Sequence, residues 1–308
     1  MKFILYQPCS FKQQGGRDYQ EDARFPDNDK PKDSQRFFVV CDGVGGSEHG
    51  EVASNTVCQA FAKKMDKLNL DNDFTNEQFS KILDYAYDQL DNKAKNVEGD
   101  MATTLTFICF HAKGCTMAHI GDSRIYQIRK DVGIIYRSDD HSLVNSMVHN
   151  GIITPEQAQN HPQSNVITRC MMPVESDGNR SQATVIRTDN ILDDDYFMLC
   201  SDGVLQFIND DLLIDIFNEK NSSLQQIADK IAQISRESDD NNTAMFIQVK
   251  QVIRNQDEVD VDQQSDNGVQ QTRRLNKINS QDYEIESVRN QQESNGIINK
   301  MKSFFKSK

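Results

Sequence analysis

No run in this 308-residue sequence approaches the roughly 20 consecutive apolar residues that a membrane span requires. The opening "MKFILYQPCS" is too short an apolar run for a secretory leader, so the expectation is a soluble, cytoplasmic protein. Positive charge is scarce: 34 Lys and Arg stand against 47 Asp and Glu, for a formal net charge of -13. A field of that sign repels phosphate backbones, which excludes broad nucleic-acid binding; any phosphate that binds must meet a local cation. Metal-type cysteine spacing is absent too. Cys9, Cys41, Cys58, Cys109, Cys115, Cys170 and Cys200 form no C-x-x-C pair and sit mostly in apolar runs, as reduced core residues do.

Large apolar side chains become rare near residue 252. Gln, Asn, Asp and Ser dominate 253–296, and a segment so poor in apolar surface cannot offset its ordering entropy, so a disordered linker is expected there. In 297–308, "IINKMKSFFKSK", Ile297, Ile298, Met301, Phe304 and Phe305 fall near helical spacing between Lys300, Lys302, Lys306 and Lys308. That pattern suits a short basic amphipathic helix able to dock on a protein partner or an anionic membrane surface; a frayed solubilising end is the alternative. The globular domain is therefore assigned to 1–252.

Within it, Val, Ile, Phe, Thr and Tyr enrichment predicts strands over 2–6, 36–41, 102–110, 114–119, 123–129, 184–187, 196–200 and 243–249. Helical patterns cover 50–68, 76–96, 210–217 and 222–236, with Thr75 placed to cap the second. Two helices early, two late and hairpin-linked strands between them do not make a βαβ alternation. They predict an α+β fold, a mostly antiparallel sheet layer covered by helices.

Four acids stand at strand ends: Asp42 after "FFVVC", Asp122 after "AHIG", Asp202 after "YFMLCS" and Asp240 before "NNTAMFIQV". Strand ends gathered at one sheet edge bring such acids into one volume, where they repel unless a cation neutralises them. Oxygen ligands without His or Cys favour Mg²⁺ or Mn²⁺. Asp42-Gly43 and Asp202-Gly203 are also ordinary turn chemistry, and both readings stand at this point. Upstream, Arg17 in "GGRDYQEDA" is suited to hold a phosphate while Glu21 and Asp22 orient water; an exposed loop with a salt bridge is the plainer reading. The stretch "DNDFTNEQF" from Asp71 is rejected as a calcium loop, because Asn76 and Ile82 stand where glycine and an acid are required.

Seven motifs in order, "GGRDYQEDA", "VVCDGVGG", "GDMATTLTF", "AHIGDSRIYQI", "SDDHSLV", "FMLCSDGV" and "DDNNTAMFIQV", resemble the metal-dependent protein phosphatases of type 2C over about residues 10 to 250. The stretch "DDHSLVNSMVHNGIITPEQAQNHPQSNVITRCM" resembles the flap of their bacterial branch. The resemblance implies a four-layer αββα fold, an antiparallel β-sandwich flanked by helices on both sides. It implies a serine/threonine phosphatase with two Mn²⁺ or Mg²⁺ ions, a bridging water or hydroxide as nucleophile, phosphorylated proteins as substrates, a cognate serine/threonine kinase to oppose and a monomeric state. By the same resemblance Asp42 bridges the ions, Gly43 offers its carbonyl, and Asp202 and Asp240 complete the first ion's ligands. Arg17 then binds phosphate, Glu21 and Asp22 orient metal-held waters, and Asp122 serves a third, weaker ion. Asn241 is expected to support the site, and His141 to fix a loop by hydrogen bonding.

Two departures accompany it. Val44 stands where the animal branch has a proposed general-acid histidine, and Gln206 where some members have a third-ion acid. No cysteine is followed by a C-x5-R loop, which separates the chain from cysteine-based phosphatases. A weakly catalytic regulator that binds phosphorylated partners through the same fold is the competing hypothesis.

Overall fold

Apolar runs of the kind found at 37–41 and 196–200 must find cover on both faces, and the architecture supplies it. The computed structural model describes residues 1–159, 161–174, 180–254 and 284–285. In chain order the strands and helices are β1 (Lys2–Leu5), β2 (Cys9–Gln13), β3 (Ala23–Phe25), β4 (Phe37–Cys41), α1 (Gly50–Met65), α2 (Asn76–Ala94), β5 (Leu105–His111), β6 (Gly114–Ile120), β7 (Arg124–Arg129) and β8 (Gly133–Arg137). There follow α3 (Leu143–His149), α4 (Pro155–Gln159), β9 (Thr184–Thr188), β10 (Tyr196–Cys200), α5 (Asp202–Leu205), α6 (Asp210–Asn218), α7 (Leu224–Ile234), β11 (Asn242–Ile253) and β12 (Glu284–Ile285).

The strands form two sheets, ordered β1-β11-β10-β7-β8 with β2 also on β11, and β12-β9-β6-β5-β4-β3. Neighbouring strands run antiparallel throughout, with Met198 opposite Phe246 in one sheet and Val39 opposite Phe107 in the other. Because successive side chains point to opposite faces, each central strand feeds two cores. Val39, Cys41 and Phe107 pack with Val57 and Phe61 of α1 and Phe79 of α2. Phe38, Val40 and Ile108 turn inward to meet Phe197, Leu199 and Met245 of the other sheet. Met198 and Phe246 turn outward onto Phe217 of α6 and Ile227 and Ile231 of α7. Helix, sheet, sheet and helix are thus held by three apolar contacts, and the expected αββα sandwich is present.

Local signals set the ends. Thr75 caps α2 as expected, its side chain accepting from Gln78 N–H while the Gln78 side chain accepts from Thr75 N–H. Ser223 and Gln226 repeat the arrangement at α7. Strands β2 and β3 were not expected, because they carry polar residues that the structure buries in pairs. The buried Arg24 donates to Ser10 Oγ at 3.0 Å and to Asp29 Oδ1 at 2.6 Å. The short elements β8, α3, α4 and α5 also lie beyond the sequence reading. The expected boundary at 252 falls inside β11, which runs to Ile253. Of the expected linker, Glu284 and Ile285 pair with Arg187 and Ile186 of β9; the rest of it beyond Arg254, and the tail 297–308, lie outside the described residues. Among the described residues no helix is long and apolar enough to cross a membrane, and all seven cysteines are free and buried.

Phe107 is fully buried against the rings of Phe61, Phe74 and Phe79, at centroid distances of 5.3, 5.8 and 5.7 Å. Phe107→Ala is expected to cost about 3–5 kcal/mol, read as a lowered urea midpoint at unchanged m-value. Burial also holds two histidines neutral: it pushes the His111 pKa down from 6.5 to about 4, helped by Arg187 and opposed by Asp73, and lowers that of His119. A depressed folded-state pKa means that the unfolded chain binds the proton first, so this stability is present above pH 6.5 and is lost as pH falls toward 4. His111→Gln should therefore lose less stability than wild type between pH 7 and 4.5, by on the order of 1–2 kcal/mol in paired urea titrations. Equal losses would refute it.

Candidate metal centre

The acids singled out in the sequence meet at one end of the sandwich, and hydrogen bonds across the two sheets put them there. Asp42 leaves β4 with its N–H donating to Thr104 Oγ1 at 3.0 Å, while its carbonyl accepts from Thr104 N–H at 2.8 Å and Thr103 Oγ1 at 2.9 Å. Thr104 Oγ1 also bonds Ser123 Oγ at 2.7 Å, tying Asp42 to the turn that carries Asp122. Ser201, the residue before Asp202, donates from its hydroxyl to Asp22 Oδ2 at 2.8 Å and accepts Thr243 N–H at 2.9 Å. Asp202 then opens α5. Gly203 is required there: a Cβ would lie 2.1 Å from the Asn241 carbonyl oxygen. That close approach brings the start of α5 against the Asp240 loop. Gly43 is equally confined, since its Cβ would sit 2.6 Å from Gly50 C and 2.8 Å from Glu21 Cβ.

Charge at the centre is unbalanced. The buried Asp42, Asp22 and Asp202 carboxyls influence one another's ionisation. Burial raises the Asp42 pKa well above the usual carboxylate range, and Asp22, Asp202, Asp122 and Asp240 add to the rise. Burial likewise pushes Asp22 up to about 7. It raises Asp122 too, with Asp202 and Asp140 contributing, and Asp202, with Asp240 contributing. Asp22 Oδ1 is buried without a hydrogen-bond partner. Arg17 brings the compensating cation to one side, its Nη2 lying 2.6 Å from Asp240 Oδ2.

This donor set fits a hard divalent cation. All of it is oxygen, a cation would remove the repulsion that otherwise keeps protons on these carboxyls, and one buried carboxyl oxygen has no other partner. Among the described residues no three His, Cys, Asp or Glu side chains converge as a complete ligand group. The set is thus one that backbone carbonyls and water must complete, as Mg²⁺ tolerates readily.

The supporting residues were largely invisible in the sequence. Asn241, expected to support the site, accepts Glu21 N–H at 2.7 Å through Oδ1 and donates from Nδ2 to the carbonyls of Gln14 at 2.7 Å and Tyr19 at 2.9 Å. It pins the loop that presents Arg17. Glu21 itself flanks Gly43 and Gly50, and burial raises its pKa against the pull of Arg17. His141 fixes a loop: its Nδ1 accepts Gly121 N–H at 3.1 Å, and its ring stacks on His119 with centroids 4.4 Å apart. The α3–α4 segment returns to the centre through Met171, whose N–H donates to the Thr103 carbonyl at 2.8 Å. Thr103, Thr104, Ser123, Ser201 and Thr243 give no local sequence signal of a role, since their partners lie in other strands and turns.

The description "Protein phosphatase 2C" belongs to a family model that matches residues 20–245. The serine/threonine protein phosphatase PstP of Mycobacterium tuberculosis is 34% identical over 188 residues, which cover 58% of this chain and 34% of PstP. The matched region thus spans about a third of that relative's length. Among solved structures, the serine/threonine phosphatase Stp1 from Staphylococcus aureus superposes with a TM-score of 0.66 at 28% identity, over 81% of this chain and 97% of that one. The catalytic domain of PstP in complex with 2 manganese ions gives 0.64 at 24% identity, over 80% and 99%, a likeness of fold.

Removal of the Asn241 side chain leaves three backbone groups of the Arg17 loop unpaired. Asn241→Ala is expected to lower stability by about 1–3 kcal/mol in urea titration and to speed tryptic cleavage after Arg17. An unchanged midpoint and cleavage rate would show that other contacts hold the loop.

Proposed function

The chain belongs to the protein phosphatase 2C family, and from that premise we propose that it is a serine/threonine protein phosphatase that hydrolyses phosphoserine and phosphothreonine. Water adds to phosphorus, the ester P–O bond breaks, and the products are the free hydroxyl side chain and inorganic phosphate. One observation carries this reading: Asp22, Asp42, Asp122, Asp202 and Asp240 crowd together at the end of the sandwich with Arg17 beside them. Asp42, the Gly43 carbonyl, Asp202 and Asp240 would hold two Mn²⁺ or Mg²⁺ ions, with Asp122 available to a third. The manganese of the PstP neighbour supports that choice. Bound there, such ions supply the acidification of water that makes a nucleophile available near neutral pH, and neutralise charge on the phosphate.

The chain's own groups do the rest. The Arg17 guanidinium, half-exposed at the rim, would exchange its contact with Asp240 for a paired contact with two phosphoryl oxygens, stabilising charge there in the transition state. Asp22, fixed by Ser201, and Glu21, fixed through its N–H by Asn241, would orient the attacking water. Val44 offers no proton, so water must protonate the departing serine or threonine oxygen.

On this reading the substrates are phosphorylated proteins and the enzyme opposes a serine/threonine kinase as a cytoplasmic, monomeric signalling hydrolase. Its catalytic domain would run from residue 1 to the end of β11 at Ile253, with the polar segment after it as a linker and the basic 297–308 stretch available to dock on a protein partner or an anionic membrane surface. The decisive experiment follows a phosphothreonine peptide with the full chain in Mn²⁺, in EDTA, and with Asp42→Asn. Turnover should require the metal and vanish in Asp42→Asn, and Arg17→Ala should lower kcat/KM about 10²–10³-fold. A folded, Mn²⁺-treated wild type without turnover on several phosphopeptides would overturn the proposal in favour of a phosphoprotein-binding regulator.

A further inference from the structure

Gln206 stands four residues beyond Asp202, as the C-cap of α5, and its amide reaches across to the loop before β11. Its Oε1 accepts the Ser238 hydroxyl at 2.8 Å and Asp239 N–H at 2.9 Å, and its Nε2 lies 3.4 Å from Asp239 Oδ2. Ser238 is 1% exposed, and its hydroxyl in turn accepts Asp240 N–H at 3.2 Å. On the far side of the same loop, Gly16 N–H donates to the Ser238 carbonyl at 2.9 Å. Both acceptor positions of the amide oxygen are therefore engaged by a single turn, 238–240, and that turn delivers Asp240.

We propose that Gln206 is a positioning residue, which fixes the Ser238–Asp240 turn so that the Asp240 carboxylate is set for a divalent cation. The inference rests on the metal-centre reading above. Geometry favours an amide at this position. An acceptor is needed for Ser238 and Asp239, and the –NH₂ end faces Asp239 rather than setting a further negative charge beside Asp202, Asp239 and Asp240. Partners that orient a ligand from behind are worth about 10–100-fold in metal affinity. The effect should run through the turn: loss of Ser238's hydroxyl should act on the same quantity as loss of the Gln206 acceptor.

Mn²⁺ binding by the full chain, counted from the free-ion signal in electron paramagnetic resonance, tests this together with amide hydrogen exchange at 238–241 in EDTA. Gln206→Met keeps the length and removes the acceptor. It should weaken Mn²⁺ binding about tenfold and speed exchange of the Asp240 amide. Ser238→Ala should do the same. Gln206→Glu keeps the acceptor, and should bind within about threefold of wild type without an additional Mn²⁺ equivalent. Wild-type affinity and exchange in Gln206→Met and Ser238→Ala would overturn the proposal. So would an extra equivalent in Gln206→Glu, because the acceptor would then be free for metal. If wild type binds no Mn²⁺, the metal-centre reading fails, and the positioning role toward a cation fails with it.

Discussion

The buried carboxyls of Asp22, Asp42 and Asp202 act on one another's ionisation, and Asp122 and Asp240 add their charge to that on Asp42. Groups of one sign so placed repel, and burial magnifies the repulsion because little solvent screens it. A chain that holds them together must offset this from elsewhere. Here the offset is structural: three apolar contact layers fix the strands, and hydroxyls of Thr103, Thr104, Ser123 and Ser201 fix the strand ends. The site is the part of the molecule least favourable to stability, carried by the part most favourable to it.

That division explains which residues are free to vary in kind and which are not. Gly203 and Gly43 have no room for a Cβ, so the backbone approach that brings α5 to the Asp240 loop and Gly43 to Glu21 is available to glycine alone. The Arg17 loop, by contrast, lacks strand pairing and is held mainly by side chains: Asn241 bonds three of its backbone groups, and the Gln14 amide donates to the carbonyls of Arg17 and Asp18. The guanidinium thus stands on a loop, while Asp42 and Asp202 stand at strand ends.

Much of this was legible in the sequence for one physical reason. Strands covered on both faces read as unbroken apolar runs, and an acid or glycine directly after such a run is conspicuous; Asp42, Asp202 and their glycines were found that way. The strands β2 and β3 escaped because Ser10 and Arg24 satisfy each other across them, a pairing that no local pattern announces. Gln206 looked like a missing ligand, since the partners that occupy it lie more than thirty positions away. The order of the seven motifs carried the family, whereas the hydroxyls that stitch the centre belong to contacts between distant strands.

The centre straddles the two sheets, with Asp42 at the end of β4 in one and Asp202 and Asp240 beside β10 and β11 in the other. Neither sheet contains it. The chain between Asp42 and Asp240 includes most of the domain, so the centre rests on contacts between residues far apart in sequence. A cation held there would act as a rivet between the two sheets, joining groups that only the finished fold brings together.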